Sequence, residues 1–364
     1  MIVNWLLQFS DQIRILNLFG YVTVRCAMAA AAAFIICLIT GPSMIRRLRI
    51  WGLGEQVAKG DSQVLDKLHA SKQNTPTMGG VLFISSTLWS VVLFGRLEVP
   101  LLLLGCAVLV ACAGVGFLDD WLKMRRRKGL KGRSKMILLS LVAVLSSSTM
   151  MMFEARDGVS YGQLHFPFFK SLTLDLKWAY PALAILVFVG AANAVNLTDG
   201  LDGLAIGSFI PTAGAFAVMS YLAGHYRLSH YLFIPYIGGA GELAVLCSAL
   251  VGAGLGFLWF NCHPAEIFMG DTGSLALGGI LGFVALALHQ EILLLLAGAV
   301  FAVEALSVMM QVGSYKTRGK RIFQCAPLHH HYQFMGLKES KITVRFWIMG
   351  ILMAVLALLT LKIR

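Results

Sequence analysis

Apolar residues fill this chain in long blocks, and charged residues are confined to the breaks between them. Runs of roughly 20 apolar residues, enough to cross about 30 Å of hydrocarbon as helix, lie near 20–45, 79–95, 100–118, 136–153, 179–197, 203–223, 239–260, 274–290, 292–312 and 345–362. The pattern predicts about ten transmembrane helices and an all-α polytopic membrane protein. No linker or low-complexity tract separates the spans, so residues 1–364 read as one integral domain. One break has a different period. Between 155 and 178, polar and apolar residues alternate around Tyr161, Phe166, Phe168 and Leu172, which predicts a small hairpin lying on the membrane surface.

Composition agrees with the pattern: 58% of residues are hydrophobic and 13% charged, against about 25% charged in soluble domains. The first run follows an amphipathic stretch containing Arg14 and has no small-residue cleavage site, so a removed signal peptide is not expected. Loops rich in Lys and Arg stay cytoplasmic. The loops 46–78, 119–135 and 313–345 hold 21 of the 30 basic residues, which puts them inside and both termini and the hairpin outside. The net charge of +12 then gathers on the inner face, which attracts anionic lipid headgroups and phosphorylated substrates. Nucleic acid is not an expected partner, because no basic and aromatic platform for stacking bases is present. The seven cysteines fall in spans or inner loops and form no CxxC pair, which argues against disulfides and a thiolate metal site.

Five of the 18 acidic residues, Asp119, Asp120, Asp199, Asp202 and Asp271, sit where apolar runs break, all on the predicted inner side. Carboxylates at the ends of hydrophobic spans are costly unless paired, hydrated or metal-bound, so the cluster marks a candidate site. Asp119 and Asp120 close the third span and are followed by eight basic residues. Adjacent carboxylates repel each other unless a cation compensates. Asn193, Asn196, Asp199 and Asp202 recur every three residues after the fifth span, a spacing that on a helix places them near one face. Asn261, Phe268 and Asp271 follow the seventh span, with Thr272 and Gly273 opening the next helix, whose free N–H groups suit phosphate or a bound carboxylate. Oxygen ligands with few nitrogens favour Mg²⁺ or Mn²⁺ over zinc.

His329, His330 and His331 are consecutive and diverge on any regular element, which suits phosphate donors better than zinc. Lys316, Arg318, Lys320 and Arg321 add charge to the same loop. Glu304, deep in the ninth run, reads as the cap of a helix kink. Gly252, Gly254 and Gly256 permit close helix contact, within the chain or in a homodimer.

The segments TPTMGG at 75–80, FLDD at 117–120, NLTDGLDG at 196–203, EIFMGDTGS at 266–274 and APLHHHYQ at 326–333 resemble the signatures of the polyprenyl-phosphate N-acetylhexosamine-1-phosphate transferases, and in detail the branch that uses a muramoyl-pentapeptide donor. The order of motifs matches along nearly the whole chain. Two residues depart from the family pattern: Asn74 replaces a usual Gly, and Gln333 a usual acid. The resemblance implies a bacterial inner-membrane enzyme with its active site on the cytoplasmic face. Its substrates would be UDP-N-acetylmuramoyl-pentapeptide and undecaprenyl phosphate, its cofactor Mg²⁺, and its products lipid I and UMP. It also implies roles for individual residues. Asp271 and Asp120 would ligate the metal, Asp119 would lie near the lipid phosphate, and Asn193, Asn196, Asp199 and Asp202 would bind nucleotide and diphosphate. Asn261 and Phe268 would flank uridine, while Lys72, Lys123, Lys135, Gln311 and His329 to His331 would hold phosphates or the sugar.

No Ser, Cys or His nucleophile is evident, and phosphoryl transfer is mostly positioning and charge stabilisation. A phosphate monoester has a second pKa of about 6, so the lipid phosphate is largely dianionic and favours direct displacement over a covalent enzyme intermediate. Two rivals are a transferase of the same superfamily using UDP-N-acetylglucosamine, disfavoured by Lys123 and the PLHHH segment, and a secondary transporter. Transporter sites lie at the midplane between repeats, and no repeat is present here.

Overall fold

The computed structural model describes residues 2–9, 14–51, 75–126, 128–157, 162–166, 169 and 172–363. Within them the chain is almost wholly helical. The helices are α1 (Ile2–Gln8), α2 (Val22–Ile50), α3 (Gly80–Phe94), α4 (Pro100–Arg126), α5 (Gly132–Asp157), α6 (Tyr180–Thr198) and α7 (Leu204–Ala223). They continue as α8 (Tyr226–Leu232), α9 (Ala240–Asn261), α10 (Gly270–Ala287), α11 (Glu291–Ala297), α12 (Ala299–Arg318), α13 (Leu328–Phe334) and α14 (Glu339–Ile363).

Each of the ten apolar runs forms helix, but not all form a straight span. Among the described residues eight helices are long and apolar enough to cross a membrane, or nine if α11 and α12 count as one. The ninth run, expected as a single span over 292–312, breaks at Gly298, where α11 and α12 meet at 90°. A glycine weakens a helix interior by about 1 kcal/mol relative to alanine, and the α12 backbone leaves the α11 axis there. Helix α3 has 15 residues and is shorter than a standard span. The hairpin is present: β1 (Gln163–His165) pairs antiparallel with β2 (Thr173–Asp175), with Leu164 opposite Leu174. Tyr161 and Phe168 lie outside the described residues.

Burial sorts the helices into layers. Helices α9 and α10 are mostly covered by protein, whereas α2, α5 and α14 keep most of their apolar surface outward, as lipid-facing helices do. Helix α9 packs on α2 and α7, and α10 packs on α4 and α6. The glycines of α9 are spent inside the chain. A Cβ at Gly252 would come within 1.9 Å of the Ala30 carbonyl oxygen of α2, and one at Gly256 within 2.7 Å of Cys37, while Gly254 faces Ile206 and Ile210 of α7. Successive long helices run toward and away from one end of the bundle, so the C-terminal ends of α4, α6 and α9 meet the N-terminal ends of α5, α10 and α14. At the opposite end Arg25 of α2 donates to both oxygens of Glu242 at 2.7 and 2.6 Å, and the Arg96 N–H donates to the same carboxylate at 2.9 Å. Both charged side chains are buried. Pairing removes the cost of isolated charges, and removing one partner of such a pair costs about 3–5 kcal/mol.

Candidate active site

The first turn of α10 is gripped by its neighbours through close backbone approach. A Cβ at Gly116 of α4 would sit 2.1 Å from the Asp271 carbonyl oxygen, and one at Gly80 of α3 would sit 2.3 Å from the Gly273 nitrogen. Phe268 N–H donates to the Pro76 carbonyl at 2.8 Å, and Gly79 and Gly80 N–H donate to the carbonyls of Phe268 and Met269 at 2.8 and 2.9 Å. The segments 76–80 and 268–270 are therefore zipped together. Gly270 takes φ +71°, and a side chain there would come within 2.7 Å of Asp120 Oδ2, so both the turn and the carboxylate require glycine.

These contacts bring three carboxylates together. Oxygens of Asp119, Asp120 and Asp271 lie within 4.8 Å of one another, with Asp119 and Asp120 buried. Asp120 takes the helix N-terminus: its Oδ2 accepts from Thr272 N and Oγ1 at 2.9 and 2.7 Å, and its Oδ1 from Asp271 N at 3.2 Å. Asp119 Oδ1 accepts from Leu130 N–H at 2.7 Å. Asp271 Oδ2 is shared by two ammonium groups, Lys123 Nζ at 2.9 Å and Lys135 Nζ at 2.6 Å. Lys123 also reaches Asp119 at 2.7 Å. Asn196 Nδ2 lies 2.8 Å from both Asp271 Oδ1 and Ser274 Oγ. An all-oxygen donor set drawn from three carboxylates fits a hard divalent cation such as Mg²⁺, and the two lysines balance its charge here.

The other candidate residues divide between this cluster and its surroundings. The expected single face of Asn193, Asn196, Asp199 and Asp202 does not form, because α6 ends at Thr198 and Asp199 caps it with ψ 55°. Asn196 faces the carboxylates. Asn193 donates to the Val189 carbonyl of its own helix at 2.8 Å. Asp202 is buried under the turn, with Oδ2 3.0 Å from His263 Nδ1 and 3.2 Å from Ala265 N, while its own N–H donates to Glu339 at 2.8 Å. Asn261 stitches that turn to the next loop: Oδ1 accepts from Gly203 N at 3.2 Å and Nδ2 donates to the Ile267 carbonyl at 2.8 Å. Phe268 is half-buried beside Asp271. Lys72 and Asn74 lie outside the described residues.

The histidines sit on α13 and diverge. His329 turns inward to Glu304 of α12. His330 Nδ1 is 2.7 Å from Gln333 Oε1, which gives the departing glutamine a partner, and His331 Nδ1 accepts from Gln324 N–H at 3.2 Å. Gln311 pins the connecting loop, accepting from Ile322 and Phe323 N–H at 3.0 and 2.9 Å and donating to the Phe323 carbonyl at 2.9 Å. Glu304 does not cap the kink, which lies at Gly298. Its role, and those of His263 and Glu339, escape sequence reading because their partners are distant in the chain. The one available signal was the cost of an acid inside an apolar run.

Comparison with known proteins shows the family of this chain. Residues 101–289 match "Glycosyl transferase family 4", and residues 72–84 match "Phospho-N-acetylmuramoyl-pentapeptide-transferase signature 1". Full-length relatives bearing the name phospho-N-acetylmuramoyl-pentapeptide-transferase include those of Nitratidesulfovibrio vulgaris strain DP4 and Maridesulfovibrio salexigens, each 46% identical, and Oleidesulfovibrio alaskensis, 45% identical. All three align over 367 residues, covering 100% of this chain and of the relative.

Proposed function

The chain belongs to glycosyl transferase family 4 and to its phospho-N-acetylmuramoyl-pentapeptide-transferases, and from that premise we propose the following reaction. An oxygen of undecaprenyl phosphate attacks the β-phosphorus of UDP-N-acetylmuramoyl-pentapeptide, the bond from that phosphorus to the bridging oxygen breaks, and UMP leaves with the electron pair. The product is lipid I, a precursor of peptidoglycan. The single observation that carries the reading is the convergence of Asp119, Asp120 and Asp271 with Lys123 and Lys135 at the start of α10, in a chain matched end to end by these transferases.

Asp271 and Asp120 would hold Mg²⁺, which when bound polarises phosphoryl oxygens and neutralises developing charge. Lys123 and Lys135 supply two cations beside those carboxylates and suit the diphosphate oxygens. Asp119 stands next to both lysines and orients the acceptor phosphate. Asn193, Asn196, Asp199 and Asp202 line the donor side, Asn261 and Phe268 flank the uridine, and Lys72, Gln311, His330 and His331 hold phosphate or sugar, with the buried His329 behind them. Direct displacement needs no general base, because the acceptor phosphate is already largely dianionic at neutral pH. The site faces the cytoplasm of a bacterial inner membrane in this reading, and the basic loops meet anionic lipid headgroups there.

The test uses purified protein in detergent with a polyprenyl phosphate acceptor. UMP release is expected from UDP-N-acetylmuramoyl-pentapeptide, abolished by EDTA and restored by excess Mg²⁺, with little or none from UDP-N-acetylglucosamine. Equal rates with both donors would overturn the donor assignment. A phospho-sugar adduct trapped on Asp119 in the absence of acceptor would overturn direct displacement.

A further inference from the structure

Glu304 and His329 are both fully buried, and they meet through a two-pronged contact. His329 backbone N–H donates to Glu304 Oε1 at 3.2 Å, and His329 Nδ1 lies 3.0 Å from Oε2. With Glu304 as a carboxylate, which only accepts hydrogen bonds, this contact is made by the Nδ1–H tautomer. The opposite nitrogen, Nε2, is buried with no hydrogen-bond partner among the described residues. It abuts the turn after α6: a Cβ at Gly200 would fall 2.3 Å from it. Buried polar atoms left unpaired cost roughly 1–3 kcal/mol and call for an explanation in native structures.

We propose that Glu304 is a positioning residue for the transfer reaction. It fixes the angle and protonation pattern of His329, whose Nε2 edge props the Asp199–Gly203 turn in the register that receives the nucleotide-sugar. A carboxylate on one ring nitrogen dictates which tautomer the other presents. Glycine at 200 admits the ring edge, and the Glu304–His329 contact ties α12 and α13 to the turn between α6 and α7. The proposal rests on the donor-binding reading of that turn.

Glu304→Gln discriminates this role from simple packing, because it keeps the volume but offers an amide N–H₂ that can donate to Nδ1 and move the ring proton to Nε2. The expected result is unchanged melting in detergent, a ¹⁵N shift of His329 showing the inverted tautomer, and a donor KM raised at least tenfold with the acceptor KM within twofold. Gly200→Ala presses on Nε2 from the other side. It should give the same donor defect, and the double variant should be no worse than the worse single. If Glu304→Gln fails to fold, Gly200→Ala decides by the same criterion. A donor KM within twofold of wild type in the deciding variant overturns the proposal. Asp199→Ala serves as the control: if it leaves donor KM unchanged, the donor reading of the turn fails and takes the proposal with it.

Discussion

Asp271 is the residue on which the cluster turns, since its two oxygens are held by Asn196, Lys123 and Lys135 while its backbone N–H serves Asp120. Asp271→Asn keeps the size of the side chain and its acceptor for Asn196 but removes the charge. Turnover is expected to fall by about 10²–10³ or more, the scale seen when one preorganised electrostatic group is removed, with little change in melting temperature. UMP release measured beside a thermal scan checks it, and near-normal activity would remove Asp271 from the proposed metal set. At this scale the sequence was legible where chemistry and placement coincide. Asp119, Asp120 and Asp271 stand out because carboxylates at the ends of apolar runs demand a partner. Glu304 and His329 are 25 positions apart, and the backbone path that joins them is invisible in spacing. Asn261 reads as a ligand from its place after the seventh span, but its bonds to Gly203 and the Ile267 carbonyl, which stitch two loops together, are not announced by any spacing.

Between elements, the site depends on how closely α4 and α3 approach α10. Gly116 and Gly80 set that approach, because either Cβ would overlap backbone atoms that cannot rotate away. Gly116→Leu is expected to push the first turn of α10 from Asp119 and Asp120, abolishing measurable turnover. It should also destabilise the fold by about 1–3 kcal/mol or more, as overpacking does, read as a lower melting temperature. A fully active, equally stable Gly116→Leu protein would contradict the packing described. The long helices were legible from the ten apolar runs, whereas the seven-residue α1, α8 and α13 lie outside those runs. The 90° break at Gly298 was not, because a glycine between alanines keeps the apolar average while releasing the backbone direction. The strand pair was legible from alternation alone.

For the whole molecule, the alternating helix directions place the acidic and basic cluster at one end and the Arg25–Glu242 pair at the other. The positive-inside rule then predicts which end faces the cytoplasm. Cys262, exposed at the C-terminal end of α9 beside the Gly203 turn, should react with a membrane-impermeant maleimide in inverted vesicles and not in intact spheroplasts. A cysteine replacing the exposed Trp178, beside the hairpin, should show the reverse. Labelling of both from one side would overturn the orientation.

The Asp119–Lys123 contact spans a single turn of α4, whereas Asp271 is synthesised much later. At about 5–20 residues per second, translation needs roughly 8–30 s to cover the ~150 residues between the two acids. For that interval α4 exists before Asp271 and the α10 N-terminus that meet its carboxylates in the folded chain. Lys123 is already present, carried on the same helix and emerging within a second of its partner. In order of synthesis, Lys123 is thus the first cation within reach of Asp119, and Lys135 and Asp271 join the pair only later.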